Sequence, residues 1–586
     1  MNKRTLNSIT IVIAAALIIP TAAATDTAKP VAPSFKWQTV VNNGDYIPSD
    51  DCNPSIPSAP PCRKFNSYNQ PSLNTKRLVV FRARSKGGQG GEPVHGVYTR
   101  DMAKTGPVVK ILDRDTLVPQ PNNLSSLFVE PPSFPRIDIN ARMIATRGNH
   151  QPTWKFTLPD GSDTRAGTTG IYTNPFGPLV TGSSKLGAVP GFSFFQVPEF
   201  PGTPFDVFPG SPAVTKGSTL VFKGNSTVGL IGKTGVYYRN LKNQPVNGAS
   251  GSDTQPVVLI ANNTHTLIPG TQTVFGSTAP PSAVDNQAVF AGFDNEENPT
   301  AGGIYLAPLS PYKLNKQPKL KVLVSIGSQV PGESKSSKFN KLGEGVSFDG
   351  RFVAFWGAWG EDTKTVRLYC REEGNKDLKA YCMSTASGNT QDANGWYSEK
   401  EVPVNQGIFV HDLKANKNYR VAKTGSEYTD FVYWNFSGKA PGVGEGEESD
   451  DDGELARWRS ASFMAVSGKA DGSSEGDDDH GSYHTAFKAR TGATDINNVY
   501  VNPIDGIYLR EGAEKKSGIV ALVTSGMNGA LIDAEAVDSD NGASLPVTEM
   551  GIEREGFRGN SIVINVSMGT EEASWAGIYL TRLPSH

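Results

Sequence analysis

The densest set of groups able to handle a proton or a sugar is RGNHQPTW, residues 147–154, which lines up Arg147, Asn149, His150, Gln151 and Trp154. Histidine is scarce, seven in 586 residues, so His150 has few rivals. Its imidazole can take or give a proton near neutral pH. Trp154 suits stacking on a sugar ring, and Asn149 and Gln151 suit bonding to its hydroxyls. Tyr238 and Arg239 are adjacent, a phenol that can donate a proton beside a guanidinium that can hold a carboxylate. Arg147, Arg165 and Lys233 add cations for an acidic ligand. His95 and His265 read as structural.

Cys370, Cys382 and His411 supply three of the four ligands a zinc ion takes. Cys370 with Cys382, like Cys52 with Cys62, are close in sequence, and neighbour pairing in local disulfides is the expectation for both pairs, with zinc the alternative at Cys370, Cys382 and His411. Acidic runs at 445–454 and 475–479 offer calcium a place, without the 12-residue loop pattern. Neither a phosphate-binding glycine loop nor a metalloprotease or serine-hydrolase signature stands in a convincing context. No cofactor is therefore expected to be required for the chemistry.

Such residues need a scaffold, and the composition narrows it. Gly and Pro number 62 and 41, too many for a helical bundle. The formal charge of −2 argues against nucleic acid as partner. Mean hydropathy is −0.35, and no later stretch is long and apolar enough to span a bilayer. Lys3 and Arg4 precede the short apolar run 9–19 and the small residues Ala22–Ala24, so residues 1–24 read as a signal peptide. Residues 25–35 read as a flexible leader, and the mature chain is expected to be secreted and monomeric.

The positioning elements announce themselves by repetition. A glycine, a β-branched residue and an aromatic recur seven times, starting at Gly96, Gly170, Gly235, Gly303, Gly407, Gly506 and Gly577. A strand signal precedes each copy: LVVFRA (78–83), RMIATR (142–147), TLVFKG (219–224), QAVFAG (287–292), RFVAFWG (351–357), SFMAVSG (462–468) and SIVINVS (561–567). Each unit reads as a small antiparallel sheet that cannot cover both faces alone. Repetition packs each against the next, and closing the ring gives an all-β, seven-bladed β-propeller over 36–586. The first strand after the leader is expected to complete the last blade.

The interval between the two signals varies. It is 13 residues from Phe222 to Gly235, but 25 from Ala145 to Gly170, 52 from Phe355 to Gly407 and 41 from Ala465 to Gly506. Equivalent hairpins emerge on one side of the disc, so enlarged hairpins in blades two, five and six mark a functional face.

An exported seven-repeat propeller with a His on blade two and a Cys/Cys/His set in blade five resembles the bacterial propeller polysaccharide lyases, especially the ulvan lyases. The resemblance implies β-elimination on a sulfated, uronate-containing algal polysaccharide. It also implies a His and a Tyr moving protons, and a cation neutralising the uronate. His150 matches the His, and Tyr238 with Arg239 are the nearest fit to the others. The alternatives are a propeller that binds carbohydrate or protein without turnover, and a hydrolase using carboxylates.

Overall fold

The computed structural model describes residues 35–584, apart from 49–61, 87–93, 115, 120–125, 151–153, 158–162, 167–168, 176, 186–194, 243–255, 311–315, 372–375, 426, 439, 442–454, 469–482 and 515–516. The expected signal peptide, Cys52, Gln151 and both acidic runs lie outside the described residues, as do the side chains of Trp154 and Arg165.

Seven antiparallel sheets stand around one axis as the blades of a propeller. Blade three shows the plan, with Ala213–Thr215, Thr219–Val228, Ile231–Asn240 and Val258–Asn262 each paired to the next from the axis outward. Apolar clusters fill the junctions between neighbours. Leu78, Val80 and Val97 of blade one meet Phe128, Ile144 and Tyr172 of blade two. Val563 and Ile578 of blade seven meet Val79 and Phe81 of blade one, which closes the ring. Trp37–Asn42 pairs with Ser574–Arg582, so the chain's first strand becomes the fourth strand of blade seven.

Steric fit explains the repeated glycine. In the third strand the aromatic two residues on folds back over it. A Cβ on Gly235 would lie 2.5 Å from Tyr237 Oη, and one on Gly577 2.5 Å from Tyr579 Oη. The same ring takes the edge of an aromatic from the first strand or its flank. Phe65–Tyr98, Phe128–Tyr172, Phe275–Tyr305 and Phe339–Phe409 stand 4.7–5.3 Å apart at 87–90°, the edge-to-face arrangement aromatic quadrupoles favour. That first aromatic in turn presses on the second-strand glycine: a Cβ on Gly224 would come within 2.6 Å of Phe205. Two glycines and two rings thus form one packing unit in blades two to five, while Ala83, Ala489 and Val566 face the third-strand glycine in blades one, six and seven.

The axis is filled. The turn at Glu553–Gly556 of blade seven leaves its sheet and reaches the inner strands of the other blades. Leu73 N–H of blade one donates to the Glu555 carbonyl, and Arg554 Nη1 donates to the Pro280 carbonyl of blade four at 3.0 Å. Arg136 of blade two pairs with Glu553 at 2.8 Å and faces Glu555 at 3.6 Å, all three side chains almost fully buried. Arg558 donates to the Val466 carbonyl of blade six.

The hairpins between second and third strands are enlarged in blades two, five and six. In blade two a two-stranded ribbon, Trp154–Thr157 with Asp163–Ala166, rises from the hairpin. In blade five Phe352–Tyr369 and Gly395–Asp412 continue above the blade and carry the helix Lys376–Cys382. Blade six differs in detail from the sequence expectation. SFMAVSG supplies its innermost strand, Met464–Gly468, while the second strand is Tyr483–Thr494. The long interval counted there thus includes the link 469–482 at the other end of the second strand. The hairpin itself, from Ala489 to Gly506, still exceeds that of blade three.

Candidate functional site

The strand register separates the residues proposed for catalysis. Along a strand neighbouring side chains point to opposite faces, so Tyr238 and Arg239 diverge. Tyr238 enters the core between blades three and four and donates to the Ser310 carbonyl at 3.2 Å; burial pushes its phenol up. Arg239 enters the opposite junction, where Nη1 donates to the Gly182 carbonyl of blade two at 2.7 Å and the guanidinium lies over Phe195. Burial lowers its pKa to about 9. His150 ends the second strand of blade two with its ring between Phe128 and Tyr172, on the blade-one side. The three proposed groups thus occupy three different junctions. Arg147 is buried and donates to the Phe208 carbonyl at 3.2 Å, facing blade three. Asn149 pairs with Thr169, Lys233 sits half-buried opposite Ser226, and Arg165 pairs with Lys155 on the blade-two ribbon, below Trp154 opposite Ala166.

The zinc expectation is corrected. Cys370 and Cys382 are bonded to each other, so neither thiolate is available. His411 pairs with Val353 at the far end of the long blade-five strand. Its Nδ1 is 2.8 Å from Asn418 Oδ1, and burial lowers its pKa. Among the described residues no group of three or more His, Cys, Asp or Glu is placed to hold a metal ion. Instead, the disulfide anchors the blade-five insertion. Asn389 Nδ2 donates to the Cys382 carbonyl at 2.8 Å, and its Oδ1 accepts from Trp458 Nε1 at 3.2 Å. Trp458 belongs to a second ribbon, Tyr433–Ser437 with Arg457–Ala461. Insertion and ribbon together form a cap on blades five and six.

What the structure does assemble beside His150 is a set of groups on the hairpin ends of blades one and two. Arg82 and His95 come from paired strands of blade one, and Glu130 from the innermost strand of blade two. Arg82 Nη2 lies 3.7 Å from Glu130 Oε2 and 3.4 Å from His95 Nδ1, while Nη1 donates to Asn69 Oδ1 at 2.8 Å. The three side chains are partly exposed, Arg82 and Glu130 to 13% and His95 to 19%. His150 pairs with Phe128 and Asn149 with Glu130 along the same strand pair of blade two. His95 Nδ1 also lies 3.9 Å from Glu130 Oε2, so a guanidinium and a carboxylate approach the same ring nitrogen.

At the neighbouring junction of blades seven and one, a cavity of about 270 Å³ is lined by Asn43, Arg63, Lys64, Phe65, Asn66, Ser85 and Lys86. Three of those side chains are cationic. The hairpin end of blade one is therefore basic on the cavity side, while on the blade-two side Arg82 is matched by Glu130. His95 reads as structural in the sequence, and the sequence alone does not single out Arg82 or Glu130. A signal for Arg82 was available, because it immediately precedes the residue facing the third-strand glycine. Arg147, Lys223 and Lys488 hold the same place in blades two, three and six.

No family model matches the chain, and no curated protein does. Among solved structures it is similar to the AtxE2 isopeptidase with astexin3-dC4 bound, at 6% identity and a TM-score of 0.25 over 86% of this chain and 57% of that one. It is also similar to a variant of fructan 1-exohydrolase IIa from Cichorium intybus in complex with 1-kestose. There the identity is 10% and the TM-score 0.21, over 93% of this chain and 96% of that one. Neither likeness bears on activity. Among the described residues no helix is long and apolar enough to cross a membrane.

Proposed function

We propose that the chain is an exported polysaccharide lyase, acting on a uronate-bearing and ulvan-like polymer laid across the hairpin ends of blades one and two. The observation that supports this most is the Arg82–His95–Glu130 set, beside a basic cavity and the enlarged hairpin of blade two. Arg82 would pair with the uronate carboxylate and so ease loss of the proton on the adjacent C5. A base removes that proton, its electron pair forms the C4=C5 double bond, and the C4–O bond breaks toward the leaving sugar, whose oxygen takes a proton. His95 would serve in proton transfer, and Glu130 would hold Arg82 and His95 in register. His150 supports their floor from the core.

One observation favours a second reading, a propeller that binds acidic polysaccharide without cutting it. His150 is 2% exposed, which removes one proton-transfer group from reach of a ligand. The two readings part on product analysis. Incubation with ulvan and with polygalacturonate, followed by mass spectrometry of the ends, should reveal unsaturated uronates. Intact polymer that nevertheless binds would favour the second reading, and saturated new ends would indicate hydrolysis.

A further inference from the structure

The junction of blades six and seven repeats, residue for residue, the junction of blades one and two. Lys488 stands where Arg82 does, opposite the β-branched residue of the third strand. Asp505 precedes Gly506 as His95 precedes Gly96. Glu549, on the innermost strand of blade seven, pairs with the residue after the glycine-facing position, as Glu130 does in blade two. The cation, the third-strand group and the neighbour's carboxylate thus recur together.

Their partners have been exchanged. Asp505 is taken up by Arg490 in a two-pronged pair at 2.7 and 3.1 Å. Glu549 pairs at 3.5 Å with Arg371, which descends from the capped insertion of blade five. Lys488 is left with rings for neighbours, its Nζ 4.2 Å from the centroid of Tyr433 and 6.0 Å from that of Phe463. Among the described residues no carboxylate lies within ion-pair distance of it. Burial lowers its pKa, with Asp505 and Glu549 acting against that and Arg490 and Arg371 adding to it. A half-buried ammonium on aromatic faces, lacking the counter-ion that Arg82 has at the same repeat position, is a cation with its strongest interaction still to be made.

We infer that Lys488 is a second anion subsite, on blade six, for a carboxylate or sulfate of the same acidic polymer. Tyr433 and Phe463 offer its sugar rings an apolar wall. Between Lys488 and Arg82 lie blade seven, whose hairpin from Gly569 to Ser574 is short, and the basic cavity of Arg63, Lys64 and Lys86. A polymer that reaches both Lys488 and Arg82 crosses three successive junctions, with the cations of that cavity at the middle one and Glu571 and Glu572 on the intervening hairpin. The inference rests on the acidic-polymer reading above and extends it from a single site to a chain-length preference.

The test compares wild type, Lys488→Met and Lys488→Arg on oligouronates of graded length, reading affinity by calorimetry. The Met variant should lose about tenfold in affinity for long oligomers, the effect of one charge-assisted contact. It should lose much less for oligomers too short to reach from blade one. The Arg variant should retain most of the long-chain affinity, and both should melt near wild type because no ion pair is broken. Equal affinity of Met variant and wild type for long oligomers, or equal losses at every length, overturns the subsite alone. Wild type that binds no acidic oligomer of any length overturns the acidic-polymer reading and the subsite with it.

Discussion

Replacing Arg136 by Met tests whether the axial ion cluster holds the ring together. Its guanidinium is 1% exposed and serves Glu553 and Glu555 at 2.8 and 3.6 Å. Without it, two carboxylates remain buried with Arg554 and Arg558 as the nearby cations. Removing one member of a buried pair costs about 3–5 kcal/mol. At about 1 °C per kcal/mol for a chain this long, the melting temperature should fall by about 3–5 °C. The pH dependence sharpens the test. Burial opposes ionisation of Glu553, but the charges of Arg136 and Arg554 and a hydrogen bond from Arg554 outweigh it, and the carboxyl ends below its usual range. A carboxyl depressed in the folded state contributes stability that is present above its unfolded pKa and lost as pH falls through its folded one. The gap between wild type and Arg136→Met should accordingly be widest near neutral pH and narrow in acid. Thermal melts across that range measure it. Pairing the change with Glu553→Leu should recover part of the loss. A shift under about 1 °C, or a gap that widens in acid, would refute the assignment of stability to this cluster.

Other consequences follow from single contacts. Gly235→Ala places a methyl 2.5 Å from Tyr237 Oη and 2.9 Å from the Ala261 carbonyl. It should cost about 1–3 kcal/mol by overpacking, seen as a lower denaturant midpoint, with partial recovery in Gly235→Ala/Tyr237→Phe. Opening the Cys370–Cys382 bridge, which closes a 12-residue separation, should loosen the cap by about 3 kcal/mol. Limited proteolysis should then cut within 370–395 while the blades stay resistant. Val41→Asp puts a charge into the closing junction of blades seven and one and should unfold the ring or lower its melting temperature by more than any hairpin variant does, since all seven blades depend on that closure.

The repeat was legible because its cause is local. A glycine two residues before an aromatic is a steric necessity of one strand, and it shows at that spacing in every blade. The first-strand aromatics, Phe65, Phe205, Phe275 and Phe339, escaped notice because their partners lie two strands away. Blade six misled because its innermost strand, SFMAVSG, carries the same apolar pattern as a second strand. The separation of Tyr238 from Arg239 was readable from the two-residue period alone, whereas Glu130 beside Arg82 was not: it arrives from the next blade, and only the register between sheets brings it there. The cysteine pair left two chemistries open on spacing, and the bond between the sulfurs decides it.

The most direct measurement follows the ultraviolet absorbance of the unsaturated uronate as ulvan is incubated with wild type, Arg82→Gln and His95→Asn. Absorbance should rise with wild type, while each substitution should slow it by at least about a hundredfold, for His95 the contribution of a positioned proton-transfer group and for Arg82 that of a preorganised charge, with the fold intact by circular dichroism. Equal rates in all three proteins, or no rise with any acidic polysaccharide, would contradict an elimination site between blades one and two.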